Sequence, residues 1–156
     1  MAGAEVKSDA ICGAVTRAIS QIASGLPIYD ERMLQNFVEP CFFVIETSVS
    51  ETQGLDRYCW REHRIEVSYI PKPDALSNRR LLGEWREILM QTLFEIYVDA
   101  NVDGENIERL PVRAQNAECR LNEDQITYYA TYKIYCRRSE QQHSVMGSLA
   151  QDINLF

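Results

Sequence analysis

The chain is short of positive charge and of long apolar runs, and each shortage excludes a class of protein. Lysine and arginine total 16 against 23 aspartates and glutamates, a formal net charge of -7. Wrapping DNA or RNA needs clustered positive charge, so we expect no specific nucleic-acid binding, although DNA can pass nearby. The apolar runs are too short to span a bilayer, and the start "MAGAEVKSDAICG" has no signal-peptide pattern. We therefore expect a soluble protein that is made in the cytoplasm and does not contact a membrane.

Paired cysteine motifs are also missing. The five cysteines are an odd number, and no two of them form a C-x-x-C pair. A disulfide framework or a cysteine-rich zinc site is therefore poorly supported. We expect reduced thiols that pack as small apolar side chains.

The sequence contains none of the short motifs that mark common enzyme sites: no GxxxxGK[ST], GxGxxG, HExxH or GxSxG. Cys59 and His63 would share one face of a strand, but four residues span about 13 Å, too far for a shared proton or metal ion. We expect them to form an ordinary strand surface, and Glu62 and Glu66, with arginines between them, to form an exposed charge ladder. The sequence predicts a protein that is not an enzyme and binds no cofactor or metal.

At 156 residues and 46% hydrophobic composition, the chain suits one domain with a normal core. We predict a single domain over residues 1–138. Residues 139–156, "SEQQHSVMGSLAQDINLF", form a polar and then mildly apolar tail that orders only against a partner.

Two amphipathic helices and several strands are predicted. Apolar residues at helical spacing indicate helices over residues 8–24, with Ser8 as N-cap, and over residues 77–98. Alternating or continuous apolar runs predict strands over residues 41–49, 57–70, 107–112, 117–121 and 125–138. Polar turns separate them, at residues 50–56, 99–106 and 122–124. This order favours an α+β fold: a mostly antiparallel sheet with both helices packed on one face.

The last strand carries an ambiguous surface. Tyr129 and Tyr135 lie on the face that also carries Lys133 and Arg137. Aromatic and cationic side chains together can stack on nucleic acid, or they can form a sheet face that meets another protein. The acidic composition favours protein.

Two stretches carry a resemblance to a known family. They are "LPIYDERMLQNFVEPCFFVI" and "RYCWREHRIEVSYIPKP", followed by one long amphipathic helix and a closing strand, "ITYYATYKIYCRR". Over residues 8–138 the chain resembles the small tail terminator proteins of tailed bacteriophages and prophages. The matching positions are Tyr29, Gln35, Phe37, Pro40, Phe42, Phe43 and Val44 in the first stretch, and Tyr69, Ile70 and Pro71 in the second.

The resemblance implies a structural virion protein. Such a protein caps the tail tube as a homo-hexameric ring, ends tube polymerisation and offers its other face to the head–tail connector or to a sheath protein. It works in the tail and neck of the virion after synthesis in the host cytoplasm, and DNA crosses the ring without specific binding. Candidate protein-contact residues are Tyr29, Gln35, Phe37, Glu51, Gln53, Asp56, Arg57, Tyr129, Tyr135 and Arg137.

Three alternatives stay open. The nearest is another neck or head–tail connector protein of similar size. A small cytoplasmic enzyme or ligand-binding α+β domain would need a deep pocket with convergent polar groups. A nucleic-acid binder would use the face of Tyr129, Lys133, Tyr135 and Arg137.

Overall fold

The computed structural model describes residues 5–30, 36–72, 78–101, 106–122 and 124–138. In chain order the elements are α1 (Ala10–Ile22), β1 (Ile28–Tyr29), β2 (Cys41–Gln53), β3 (Tyr58–Ile70), α2 (Asn78–Thr92), β4 (Glu95–Asn101), β5 (Ile107–Leu121) and β6 (Ile126–Arg137). No helix in these ranges is long and apolar enough to cross a membrane. Gln35, Ser77 and the tail 139–156 lie outside the described residues.

The six strands form one mixed sheet in the order β1-β2-β3-β6-β5-β4. Four of the five strand pairings are antiparallel, and β1 pairs with β2 in parallel. The predicted α+β class is confirmed. β1 was not predicted from the sequence, because a strand of two residues is too short to show a period.

The helices enclose a single hydrophobic core. Ile11, Val15 and Ile19 of α1 and Leu82 and Leu89 of α2 belong to the same buried cluster. Helix α1 contacts both β2 and β4, and α2 contacts β4, β5 and β6. Since three strands separate β2 from β4, the sheet must curl for one helix to reach both. The packing of both helices on one face stays a prediction.

Both helices are shorter than predicted. The N-cap of α1 is Asp9 rather than Ser8, and its side chain makes no capping hydrogen bond. Helix α2 ends at Thr92, and residues 95–101, predicted as the helix end and a turn, form β4. Buried Leu89, Leu93 and Ile96 continue a helical spacing across the boundary, which hides the change of period.

Two predicted strand boundaries are wrong. β2 continues through "SETQ" to Gln53, which pairs with Cys59, so the predicted loop shrinks to a turn over residues 54–57. Cross-strand pairing with β3 holds these polar residues in the strand despite their loop-like composition. β5 is one strand whose register shifts between Gln115 and Glu118, where the two predicted short strands would have separated.

We call the sheet face that carries the buried hydrophobic cluster the inner face and the opposite face the outer face. The predicted alternation of β6 is confirmed: the inner-face residues Ile126, Tyr128, Ala130, Tyr132, Ile134 and Cys136 are all buried. The alternation of apolar and polar residues in β3 is typical of a half-solvated strand, but near its end the outer face is not solvated. Glu66 and Ser68 on its outer face are only 8% and 9% exposed, and the hydroxyl of Ser68 lies 3.1 Å from that of Thr127. Glu66 therefore belongs to no exposed charge ladder.

Candidate functional site

The far end of the β2–β3 hairpin is an exposed part of the sheet. We call residues 48–62 the distal hairpin; every β2 residue in it is exposed. A backbone hydrogen bond of 2.9 Å from the Gly54 amide to the Tyr58 carbonyl closes its turn, and Asp56 adopts a φ of 58°. The Gln53 side-chain amide donates to the Asp56 carbonyl at 3.0 Å. Aspartate suits this turn because it tolerates a positive φ, and glycine suits position 54 because an added Cβ would lie only 3.1 Å from the Tyr58 carbonyl oxygen.

Glu51 ties the distal hairpin to the end of β6. One carboxylate oxygen accepts a hydrogen bond from Arg61 at 3.1 Å, and the other accepts one from Arg138 at 3.0 Å. Glu51 and Gln53 thus hold the hairpin in shape, and the carbonyl of Arg57 receives the Arg138 amide. That Glu51, Gln53, Asp56 and Arg57 also contact a partner stays a prediction.

Leu55, at the tip of the hairpin, was not among the protein-contact residues predicted from the sequence, although its position makes it a candidate. Its side chain is 85% exposed, the highest fraction among the large apolar residues that the structure describes as exposed. A leucine between a turn glycine and an aspartate is the signal that was overlooked. An apolar side chain held at the end of a rigid hairpin is suited to insertion into a partner's surface.

Three aromatic rings form a continuous ledge on the outer face beside this tip. Tyr58 stacks on Tyr135 with ring centroids 5.3 Å apart, and Trp60 meets the same Tyr135 at 4.9 Å. We call these three residues the aromatic ledge. The Lys133 ammonium lies 5.0 Å above the Trp60 ring and 3.9 Å from the Glu62 carboxylate. Trp60 remains 43% exposed, so the ledge offers apolar area together with positive charge.

The predicted surface of β6 is divided into two parts. Tyr135 belongs to the ledge, and Arg137 lies opposite Tyr58 in the register of β3 and β6. Tyr129 lies six residues earlier, about 20 Å along the strand. Its ring is covered by the Arg120 guanidinium at 5.0 Å. Tyr129 is therefore not part of the same contact patch as Tyr135.

Tyr29 of β1 and Phe37, which precedes β2, pack on their own chain. Phe43, buried on β2, contacts the Tyr29 ring at 5.4 Å and the Phe37 ring edge-to-face at 5.5 Å. The Val38 amide donates to the Tyr29 hydroxyl at 3.1 Å. These contacts hold Tyr29 and Phe37 against β2, and a partner contact of Tyr29 and Phe37 stays a prediction, as does one of Gln35.

Cys59 and His63 are fully buried on the inner face, so the expectation of an ordinary strand surface is wrong. Nδ1 of His63 is hydrogen-bonded to the Glu46 carboxylate, whereas Nε2 has no hydrogen-bond partner among the described residues. Within the residues that the structure describes, no three histidine, cysteine or acidic side chains are grouped closely enough to hold a metal ion. The imidazole is a core group that Glu46 orients.

The cysteines are free thiols, and four of them are only weakly acidic. All five are free. Burial raises the pKa of the Cys41, Cys119 and Cys136 thiols to about 11, and burial with nearby carboxylates does the same for Cys12. A nucleophilic cysteine needs a lowered pKa, so these four thiols are not activated.

The fold and this surface define a small mixed-sheet α+β protein whose prominent exposed features suit contact with other proteins. The model of the phage tail terminator protein family matches residues 10–144, and the chain belongs to this family. The resemblance stated from the sequence is confirmed, and with it a structural role in the bacteriophage tail.

The other comparisons add little. No curated protein matches the chain. Among the solved structures that match, one aligns over 85% of this chain and 96% of its own at 14% identity and a TM-score of 0.37. A similarity of that size carries no argument about function.

Proposed function

We propose that this protein caps the tail tube as a homo-hexameric ring, ends tube polymerisation and provides the joining surface for the head connector or a sheath protein. Family membership supports a place among the tail components. The observation that carries the proposal is the exposed Leu55 at the tip of the distal hairpin, beside the aromatic ledge that β3 and β6 form.

The composition of this surface suits a tight protein contact. Tryptophan, tyrosine and arginine are the residues that most often dominate binding energy at interfaces. Here Trp60 and Tyr135 pack against each other, so little side-chain entropy is lost when a partner covers them. We assign this surface to the end of the tail tube, because the ring must hold the tube firmly enough to stop further subunits from adding.

A ring also needs two different contact surfaces on every subunit, since a six-membered ring closes through heterologous contacts. The protein has candidates well apart along its sheet. One is the open edge of β2, and the other is the opposite edge strand, β4, which carries the exposed Tyr97 and follows directly after the exposed Phe94.

The charge of the chain fits a ring that DNA crosses. Six copies, each with a formal charge of -7, would repel phosphates along the passage. DNA then moves through without specific binding. The proposal places the protein in the tail and neck of the virion, after assembly in the host cytoplasm.

Deleting the gene from the parent phage or prophage and measuring tail lengths by negative-stain electron microscopy tests the proposal. We expect tubes longer than normal that are not joined to filled heads. Tails of normal length beside tailless heads would instead assign the protein to the connector side of the neck. Intact virions would overturn both structural roles.

A further inference from the structure

The edge of β2 is open along the distal hairpin. β1 pairs only with Phe42 and Phe43, and from Ser48 to Gln53 the described residues pair with β2 from one side only, that of β3. The hydrogen bond from the Gly54 amide to the Tyr58 carbonyl fixes the alternation of the ladder. It follows that the backbone groups of Val49, Glu51 and Gln53 point away from β3, towards the open edge.

This edge lacks the usual protection against strand addition. Proteins protect edge strands with proline, charged side chains such as lysine, bulges or a covering segment. Residues 48–53, "SVSETQ", contain no proline or lysine, their one charged side chain, Glu51, is paired with Arg61 and Arg138, and the irregularity of β2 lies before them, between Glu46 and Ser48.

The opposite edge of the sheet is covered. The Arg17 guanidinium donates to the Tyr97 carbonyl of β4 at 2.9 Å. Asn101, at the end of the same strand, exchanges two backbone hydrogen bonds with Glu5. The chain thus caps the β4 edge with its own residues and leaves the distal β2 edge ready for a strand from outside.

We propose that residues 139–156 of a second copy bind this edge as an added strand. The proposal rests on the ring assembly proposed above and identifies one contact within it. Each subunit gives one segment and receives one, which is a heterologous contact of the kind that closes a ring.

The position and length of the segment fit this role. The chain leaves β6 at Arg138, whose amide donates to the Arg57 carbonyl at 2.9 Å, directly at the distal hairpin. The 18 residues that follow can extend about 60 Å, enough to reach a neighbouring subunit. β6 and β2 flank β3 on opposite sides, so the segment would have to cross β3 to reach its own β2 edge.

Charge and pattern fit as well. The segment contains Glu140 and Asp152 and neither lysine nor arginine, whereas Arg57, Arg61 and Arg138 surround the distal hairpin. Near its end, in "DINL", polar and apolar residues alternate, which suits a strand with one covered face. Residues 145–156 lie beyond the family match, so this contact would be particular to a subset of terminators.

Photo-crosslinking in assembled tails tests the proposal. A photoreactive phenylalanine analogue replaces Phe156 in the full chain, the tails are irradiated, and the linked peptides are identified by mass spectrometry. We expect a covalent dimer in which Phe156 of one copy is joined to residues 48–53 of another. A linkage within one copy, a linkage to a different protein, or no linkage at all would overturn the proposal.

Val49 provides a matched pair of variants. Val49→Pro removes an outward-facing amide without breaking the β2–β3 ladder, whereas Val49→Thr keeps that amide. We expect the dimer yield to fall roughly two- to tenfold in Val49→Pro and to stay unchanged in Val49→Thr, as the loss of one edge hydrogen bond predicts. Equal yields would count against strand addition. If gene deletion still gives overlong tails while the crosslink is absent, this inference fails and the terminator function stands.

Discussion

The hydroxyl of Tyr132 donates a 2.7 Å hydrogen bond to the carbonyl oxygen of Leu93, joining the residue just after α2 to the middle of β6. The Tyr128 hydroxyl lies 3.3 Å from the same carbonyl oxygen and 3.2 Å from the Tyr132 hydroxyl. The last carbonyls of a helix lack partners within the helix, and here two buried tyrosines supply donors at that end. The bond fixes α2 on the inner face of the sheet.

Removing this donor should destabilise the fold without touching the outer surface. We expect Tyr132→Phe to lower the free energy of unfolding by about 1–2 kcal/mol, because the buried carbonyl keeps only the longer bond to Tyr128. Tyr97→Phe is the matched control, since its hydroxyl bonds Glu95 at the exposed surface and should cost at most about 0.5 kcal/mol. Urea unfolding measures both, and equal losses would contradict the anchoring role of Tyr132.

Stability should fall in alkaline solution. Burial raises the pKa of the Cys41 and Cys136 thiols from 9.0 to about 11, and that of the Tyr128 hydroxyl from 10.0 to about 12. Between the unfolded and folded pKa values the folded chain holds more protons than the unfolded chain. The contribution of these groups is therefore complete below pH 9 and is lost as the pH rises towards 11 and 12.

The urea midpoint measured across this range checks the alkaline loss. We expect a steady decline above pH 9 that becomes less steep in Cys136→Ala, because one of the shifted groups is then gone. A midpoint that stays constant to pH 11, or an unchanged slope in the variant, would contradict the assignment.

Leu55 offers a direct test of the hairpin tip. We expect Leu55→Asp to leave the free energy of unfolding within about 0.5 kcal/mol, because the side chain is exposed and touches little of its own chain. The variant should nevertheless fail to restore normal tail length when supplied to the deletion phage. Ile107→Asp, at a residue that is 72% exposed on β5, is the control and should restore it. Full rescue by Leu55→Asp would exclude the tip from the contact with the tube.

The elements with a clear period could be predicted from sequence, and those that depend on pairing could not. The alternation of β6 placed Tyr128 and Tyr132 inside correctly. In contrast, "SETQ" looks like a loop, and only its pairing with β3 makes it a strand edge. Residues 93–101 carry apolar spacings that suit both a helix and a strand, and contacts with β5 decide between them.

The candidate surface was only partly visible for the same reason. Tyr135 and Arg137 were identified from the alternation of β6, but Trp60 was not, because it joins Tyr135 only through the register of β3 with β6. Leu55 was overlooked within a polar stretch. Glu51 was expected in a loop, whereas its carboxylate accepts hydrogen bonds from Arg61 of β3 and from Arg138, just after β6. Side-chain partners distant in sequence cannot be read from periodicity.

The two tryptophans allow the aromatic ledge to be observed directly. Trp85 packs against Phe42 and Tyr69, with ring centroids 5.3 and 4.7 Å away, while Trp60 is exposed beside Tyr135. If the ledge meets the tube, isolated tail tubes should protect Trp60 from acrylamide quenching and shift its fluorescence to shorter wavelength. Trp60→Phe, which leaves only Trp85, should show neither change on adding tubes. If tubes bind the wild-type protein but leave its quenching unaltered, the tube contact lies elsewhere. A buried indole cannot remain accessible to the quencher.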